Sequence, residues 1–176
     1  GISDDEATII HGLCEQTKPK NILIIGNSYG FSTVFLALAN PDAKVIAFDK
    51  YRTEGIKTTN KLLKGLDKKE VIQASTPDDI PSIIDTRFDG EVDLVLIDAV
   101  HTNDVQTAEF DILDSHLSEN AVVIFHDVVS CKLLDSFEYL KSKYKDYDFR
   151  LVTKSTSGIG VCVKGNISGE LESFLD

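Results

Sequence analysis

The sequence predicts a doubly wound α/β domain: a three-layer sandwich with a mostly parallel sheet of about seven strands and a C-terminal antiparallel hairpin. Three observations carry this. Short apolar runs alternate along the chain with stretches of helical length and spacing. One run, Ile22-Leu23-Ile24-Ile25, is too short for a helix and too continuous for a half-exposed strand, so it reads as a central parallel strand buried on both faces. Finally, the strand ends are polar: Asn27 and Ser28 after Gly26, then Asp49, Ser75-Thr76, Asp98, and His126-Asp127.

The elements follow in order. Ser3 and Glu6 form a capping box for a helix through Thr17, with Ala7, Ile10, Leu13 and Cys14 on one stripe. Lys18-Pro19-Lys20 ends that helix and leads into the strand at 22–25. Gly26 closes the strand, Gly30 follows four residues later, and 32–39 has helical spacing. A turn at Asn40-Pro41-Asp42 precedes a strand over 44–49 that ends in an acid. The pattern then predicts a helix over 54–66 stopped near Gly65, a strand over 70–74 and a short helix over 77–85. A strand over 92–98 ending in Asp98, a helix over 102–116 and a strand over 121–125 come next, followed by a helix over 130–143. Strands 148–153 and 159–164, joined by Ser155-Thr156-Ser157-Gly158, form the hairpin, and 170–175 reads as a short terminal helix. With right-handed crossovers, the carboxyl ends of the parallel strands share one rim. The expectation is a single domain over 1–176: an N-terminal helix within 1–18, a core over 20–165 and a tail over 166–176.

A net charge of −11 would repel a phosphate backbone, so nucleic acid is not an expected partner. Lys61, Lys64, Lys68 and Lys69 are interspersed with acids and read as a solvated face. No apolar run approaches membrane-spanning length and the N-terminus is acidic, unlike a signal peptide, so no membrane association is expected. Cys14, Cys131 and Cys162 are odd in number and lack metal-type spacing, which suits a reducing, cytoplasmic location. The chain opens on Gly1 and contains no Met, so an upstream segment stays open, as does oligomeric state, a homodimer being one expectation.

Strand, glycine turn and helix N-terminus together form a corner where bare N–H groups and the helix dipole face an anionic ligand. Asp49, 23 residues after Gly26, can accept both hydroxyl protons of a ribose, whether of a dinucleotide or of an adenosyl cofactor. The turn separates the two. Gly26-Asn27-Ser28-Tyr29-Gly30 lacks the second glycine that lets a backbone approach a pyrophosphate. A ligand bearing a carboxylate and an amine fits better, with Ser32 at the helix start binding the carboxylate.

The stretch Ile25-Gly26-Asn27-Ser28-Tyr29-Gly30-Phe31-Ser32-Thr33, with Asp49, Asp98 and Asp127, resembles class I S-adenosylmethionine-dependent methyltransferases of Rossmann-like fold. Over about residues 20–165 it is most similar to small-molecule O-methyltransferases of the catechol type and related bacterial domains. The resemblance implies that Gly26, Ser28, Gly30 and Ser32 hold the methionine part of the cofactor, with Asn27 and Asp98 also among its contacts. It further implies Asp49 on the ribose and Ser75 and Thr76 on the adenine edge. Asp98, His126 and Asp127 take the positions of the family's metal ligands, and His101 that of its general-base lysine, so that His101 and Asp98 are the candidate catalytic pair. A small hydroxylated acceptor and a divalent cation, Mg or Mn, are implied. The chain departs from the family at Ile24, where an acid is usual; at His101, in place of lysine; and at His126, in place of a carboxylate. An Asp-His-Asp set suits Mn or another transition metal at least as well as Mg. The segment Leu117-Ser118-Glu119-Asn120 lacks the usual glycine turn.

Other readings stand beside these. His101 reads also as a capping residue of the helix that follows, His126 as a strand-end histidine bonded to backbone, and Asp127 as the cap of the next helix. Tyr139, Tyr144, Tyr147 and Phe149 read as packing. A non-catalytic or partner-dependent adenosyl-cofactor-binding domain is the alternative function, and an NAD-dependent oxidoreductase a further one.

Overall fold

The computed structural model describes residues 1–51, 53–153, 155, 157–165 and 169–175. Thr156 of the hairpin turn, and 166–168 and 176 of the tail, lie outside the described residues. In chain order the elements are α1 (Asp4–Thr17), β1 (Asn21–Ile25), α2 (Phe31–Ala39), β2 (Lys44–Asp49), α3 (Thr53–Leu62), β3 (Lys69–Gln73) and α4 (Ile80–Arg87). These are followed by β4 (Val92–Ile97), α5 (Asn103–Leu113), a 3-10 turn at Asp114–His116, β5 (Leu117–Phe125), α6 (Leu134–Lys143), β6 (Tyr147–Val152), β7 (Ile159–Lys164) and α7 (Gly169–Leu175). The sheet runs β3-β2-β1-β4-β5-β7-β6. Strands β1 to β5 are parallel, and β7 is antiparallel to both β5 and β6. The expected seven-stranded α/β sandwich is borne out.

Strand β1 divides its apolar residues between two cores. Ile22 and Ile24 join a cluster with Ile10, Leu13 and Leu36 on the α1–α2 side. Leu23 and Ile25 join Ile80, Phe110 and Phe137 on the α4–α5–α6 side. The period of two in a strand accounts for the split, and burial on both faces accounts for the absence of polar alternation. The second core holds an aromatic group in which Phe110 meets Tyr144, Tyr147 and Phe149 at 4.9, 5.8 and 5.6 Å between ring centroids. Tyr144, Tyr147 and Phe149 therefore pack as read, whereas Tyr139 is exposed.

Element boundaries shift where turns carry the chain. Helix α6 begins at Leu134 rather than 130, because 127–133 is a coil with Asp127 and Lys132 at φ 59° and 58°. Helix α4 begins at Ile80 rather than 77, since Asp79 Oδ2 accepts from the Ser75 amide at 2.7 Å and closes a turn ahead of it. Strand β5 begins four residues early, at Leu117, which pairs with Val92. Asn120, at φ 65°, replaces the missing glycine turn, as a short amide side chain tolerates that conformation. At the amino ends of the strands, Asp93 Oδ2 accepts from the Lys20 and Asn21 amides, and its Oδ1 from Ser118 Oγ. Among the described residues no helix is long and apolar enough to cross a membrane.

Candidate active site

The site lies on the rim where β1, β2, β4 and β5 end. Gly26 leaves β1 at φ 102°, and a Cβ there would stand 2.1 Å from the Asp98 carbonyl oxygen, so the turn lies flush on the exit of β4. Gly30, at φ 90°, caps α2 without a side-chain hydrogen bond, and a Cβ would strike Thr59. The helix therefore starts with its first amides unclaimed by a capping side chain.

Asp49, at the end of β2, accepts from the Ser28 amide at 2.8 Å through Oδ2 and from the Tyr51 amide at 3.1 Å through Oδ1. A cavity of about 460 Å³ opens beside these groups, and Gly26, Ser28, Asp49, Thr76, Asp98 and His101 all line it. Tyr51, 79% exposed, and Val100 form part of its apolar wall. Asn27, Gly30, Ser32 and Ser75 do not line it. Asn27 is buried and its amide is committed to the turn: Nδ2 donates to the Ser28 carbonyl and to Thr59 Oγ1, and Oδ1 accepts from Thr33 Oγ1. Ser32 is buried as well.

Thr76 leads to a group the sequence reading missed. Its Oγ1 donates to Glu109 Oε1 at 2.5 Å, and Glu109, on α5, is 0% exposed with no partner for Oε2 among the described residues. Burial raises the Glu109 carboxyl to about 7, against the lowering effect of the Thr76 hydrogen bond. The folded state thus holds a proton that the unfolded chain releases near 4.5, so this contribution to stability is complete below pH 4.5 and is lost as pH rises through 7. Glu109→Gln is expected to remove a loss on the order of 3 kcal/mol between those limits, measured as the pH dependence of urea unfolding. An unchanged slope between pH 4.5 and 6.5 would assign that loss to another group.

The second half of the site is a charge cluster at the ends of β4 and β5. His126 is 3% exposed. Its Nδ1 lies 3.3 Å from Asp98 Oδ1 and 3.0 Å from Asp127 Oδ2, yet makes no hydrogen bond of good geometry to either. Its Nε2 donates to Glu6 Oε2 on α1 at 3.0 Å. His101, about a third exposed, places Nε2 3.7 Å from Asp127 Oδ2 and 3.9 Å from Asp98 Oδ1. The Gly1 amino group stands 3.8 Å from Asp98 Oδ2.

Burial alone would lower the His126 pKa, but contact with Asp98, Glu6 and Asp127 overrides it and raises the imidazole to about 9. Burial raises the Asp127 carboxyl, but the Ser130 hydroxyl and the two histidines leave it lowered. One oxygen of Asp98, one of Asp127 and a ring nitrogen of His126 lie within 4.8 Å of one another, as ligands to a single cation would. A cation bound there would take the place of the Nδ1 proton.

Three of the alternative readings fail here. Thr102, not His101, caps α5 by accepting from the Val105 amide, and the α6 cap is Leu133, well past Asp127. His126 is held by a carboxylate, and by no backbone group among the described residues.

Comparison with known proteins decides the family. A family model described as a methyltransferase domain matches residues 23–128. The chain belongs to that methyltransferase family. Comparison with curated proteins gives no match. Solved structures share the fold of this methyltransferase at low identity. An O-methyltransferase from Bacillus cereus, in complex with S-adenosylhomocysteine, has a TM-score of 0.78 at 18% identity, over 93% of this chain and 82% of its own. TomG from Streptomyces achromogenes, an O-methyltransferase of tomaymycin synthesis in complex with S-adenosylmethionine, has a TM-score of 0.79 at 20% identity, over 94% and 82%. A methyltransferase from Podospora anserina bound to S-adenosylhomocysteine has a TM-score of 0.77 at 19% identity, over 95% and 80%.

In this methyltransferase the sequence shows Glu6 only as a helix cap, not as a buried partner of His126, and Glu109 goes unremarked. Glu6 falls at i, i+4, i+7 and i+8 with the buried Ile10, Leu13 and Cys14, and Glu109 shares its stripe with Phe110 and Leu113. An acid on the apolar stripe of a helix was the signal in both cases.

Proposed function

We propose that this methyltransferase takes its methyl group from S-adenosylmethionine and transfers it to a hydroxyl of a small molecule, aided by a divalent cation, Mg or Mn. The observation that carries the reading is the cluster of Asp98, Asp127 and the orphaned His126 Nδ1 at the edge of the cavity that Asp49 and Gly26 line. Gly26, Ser28, Asp49 and Thr76 would hold the cofactor, with Asp49 accepting from ribose hydroxyls and Thr76 at the base. When bound, the cofactor supplies an electrophilic sulfonium methyl group. When bound by Asp98, His126 and Asp127, a cation lowers the pKa of the acceptor hydroxyl. His101 Nε2 would take the proton of an acceptor hydroxyl held there, and Asp98 and Asp127 would stabilise the imidazolium so formed. The apolar wall from Tyr51 and Val100 orients an acceptor with an apolar body.

Calorimetry with S-adenosylmethionine, S-adenosylhomocysteine and, as control, NADH tests the cofactor. Binding of the adenosyl ligands alone is expected. Asp49→Ala should cost about 10- to 100-fold in their affinity, the worth of a charged hydrogen-bond acceptor. Unchanged affinity would remove Asp49 from the site. EDTA should abolish methyl transfer to hydroxylated acceptors and Mn or Mg restore it; full activity in EDTA would end the metal reading.

A further inference from the structure

The buried acid on α1 does more than cap its helix. Glu6 is 1% exposed, which is unusual for a capping-box glutamate, whose task needs no burial. Its Oε2 accepts from the Ser3 amide at 2.8 Å and from His126 Nε2 at 3.0 Å. Its Oε1 accepts from the Ser157 hydroxyl, which itself lies 3.5 Å from His126 Nε2. Three separate pieces of the chain thus converge on one ring nitrogen: the first turn of α1, the end of β5, and the connection from β6 to β7. With Nε2 engaged in this way, the ring turns its other nitrogen, Nδ1, toward Asp98 and Asp127.

We infer that Glu6, braced by Ser157, is a positioning residue for the candidate cation site, holding His126 by Nε2 so that Nδ1 is presented with Asp98 and Asp127. The inference rests on the metal reading above. Its logic is that of a histidine ligand whose second nitrogen donates to a carboxylate: the carboxylate sets the tautomer, aims the ring and makes the ligating nitrogen more basic. The competing role, a staple that only ties α1 to the sheet, would leave cation affinity indifferent to Glu6 once the protein is folded.

The test titrates Mn(II) by calorimetry, and Co(II) by visible absorption, into the full chain and four variants. Glu6→Leu removes the carboxylate and should weaken Mn(II) binding by about 10- to 100-fold and alter the Co(II) spectrum. Glu6→Gln keeps an acceptor and should fall between Glu6→Leu and the native chain. Ser3→Ala breaks the cap but leaves the Glu6 contact to His126, so it should melt lower and bind Mn(II) as the native chain does. Asp98→Asn should lose binding. Native affinity and spectrum in Glu6→Leu, or in Glu6→Gln if the leucine variant does not fold, would overturn the positioning role. Sensitivity of binding to Asp98→Asn would then leave the metal reading standing. Absence of Mn(II) and Co(II) binding by the native chain would overturn both.

Discussion

Gly26→Ala is expected to cost about 2–6 kcal/mol of stability and, with it, the cofactor site. Two effects add at this position. Its φ of 102° lies where an L side chain is strained, worth about 1–3 kcal/mol. In addition, the new Cβ would stand 2.1 Å from the Asp98 carbonyl oxygen and 2.7 Å from its carbonyl carbon. Both are backbone atoms, so no side chain can swing aside; β1 and β4 must part at their carboxyl ends, at a further cost of about 1–3 kcal/mol. Gly65 provides the control: its φ is 94° but a Cβ there would meet nothing within 4 Å, so Gly65→Ala carries the strain alone. Thermal melts should show Gly65→Ala lower by a few degrees and Gly26→Ala lower by about 10 °C or more. Equal shifts would mean that the close approach of the two strands is not maintained in solution.

Why some of this was legible in the sequence and some was not follows from where each residue's partners lie. Strands β1, β2 and β4 are buried on both faces, so their apolar runs announce them, and the acids Asp49 and Asp98 stand at their ends without ambiguity. The coil ahead of α6 is held by Asp127 and Lys132 at positive φ, and lysine is a residue type that does not advertise such a conformation, so the helix reads four residues too long. Asn27 and Ser32 sit in the ligand-facing stretch of the sequence but both are buried, and Thr33 and Thr59 commit the Asn27 amide to the turn. Glu6 and His126 are 120 residues apart, and nothing local to either indicates the other. Local pattern reports the surface a residue buries; it reports a polar partner only when that partner is also local.

Asp98→Asn is expected to lower kcat by about 10²–10⁴-fold and to lower the melting temperature by a few degrees at neutral pH. The substitution keeps the side chain's size and the backbone bond from Asp98 to the Ile25 carbonyl, so the sheet has no reason to change. It removes one of three carboxylates that converge on His126, the others being Glu6 and Asp127. Asp98 is one of the contacts that hold the His126 pKa up, so neutralising it takes away stability wherever His126 is charged. On the proposed reading the same charge would also serve a cation and a protonated His101, so its loss should cost the reaction far more than the fold. Asp93 on the same strand separates the two effects. It accepts from Lys20, Asn21 and Ser118 at the opposite end of the sheet, and Asp93→Asn should lower stability with kcat intact. Acceptor turnover followed by S-adenosylhomocysteine release, beside melting of both variants, reads the pair. If Asp98→Asn falls in stability and keeps its turnover, as Asp93→Asn should lose the one and keep the other, then Asp98 is a brace of the sheet and the chemistry lies elsewhere on the rim.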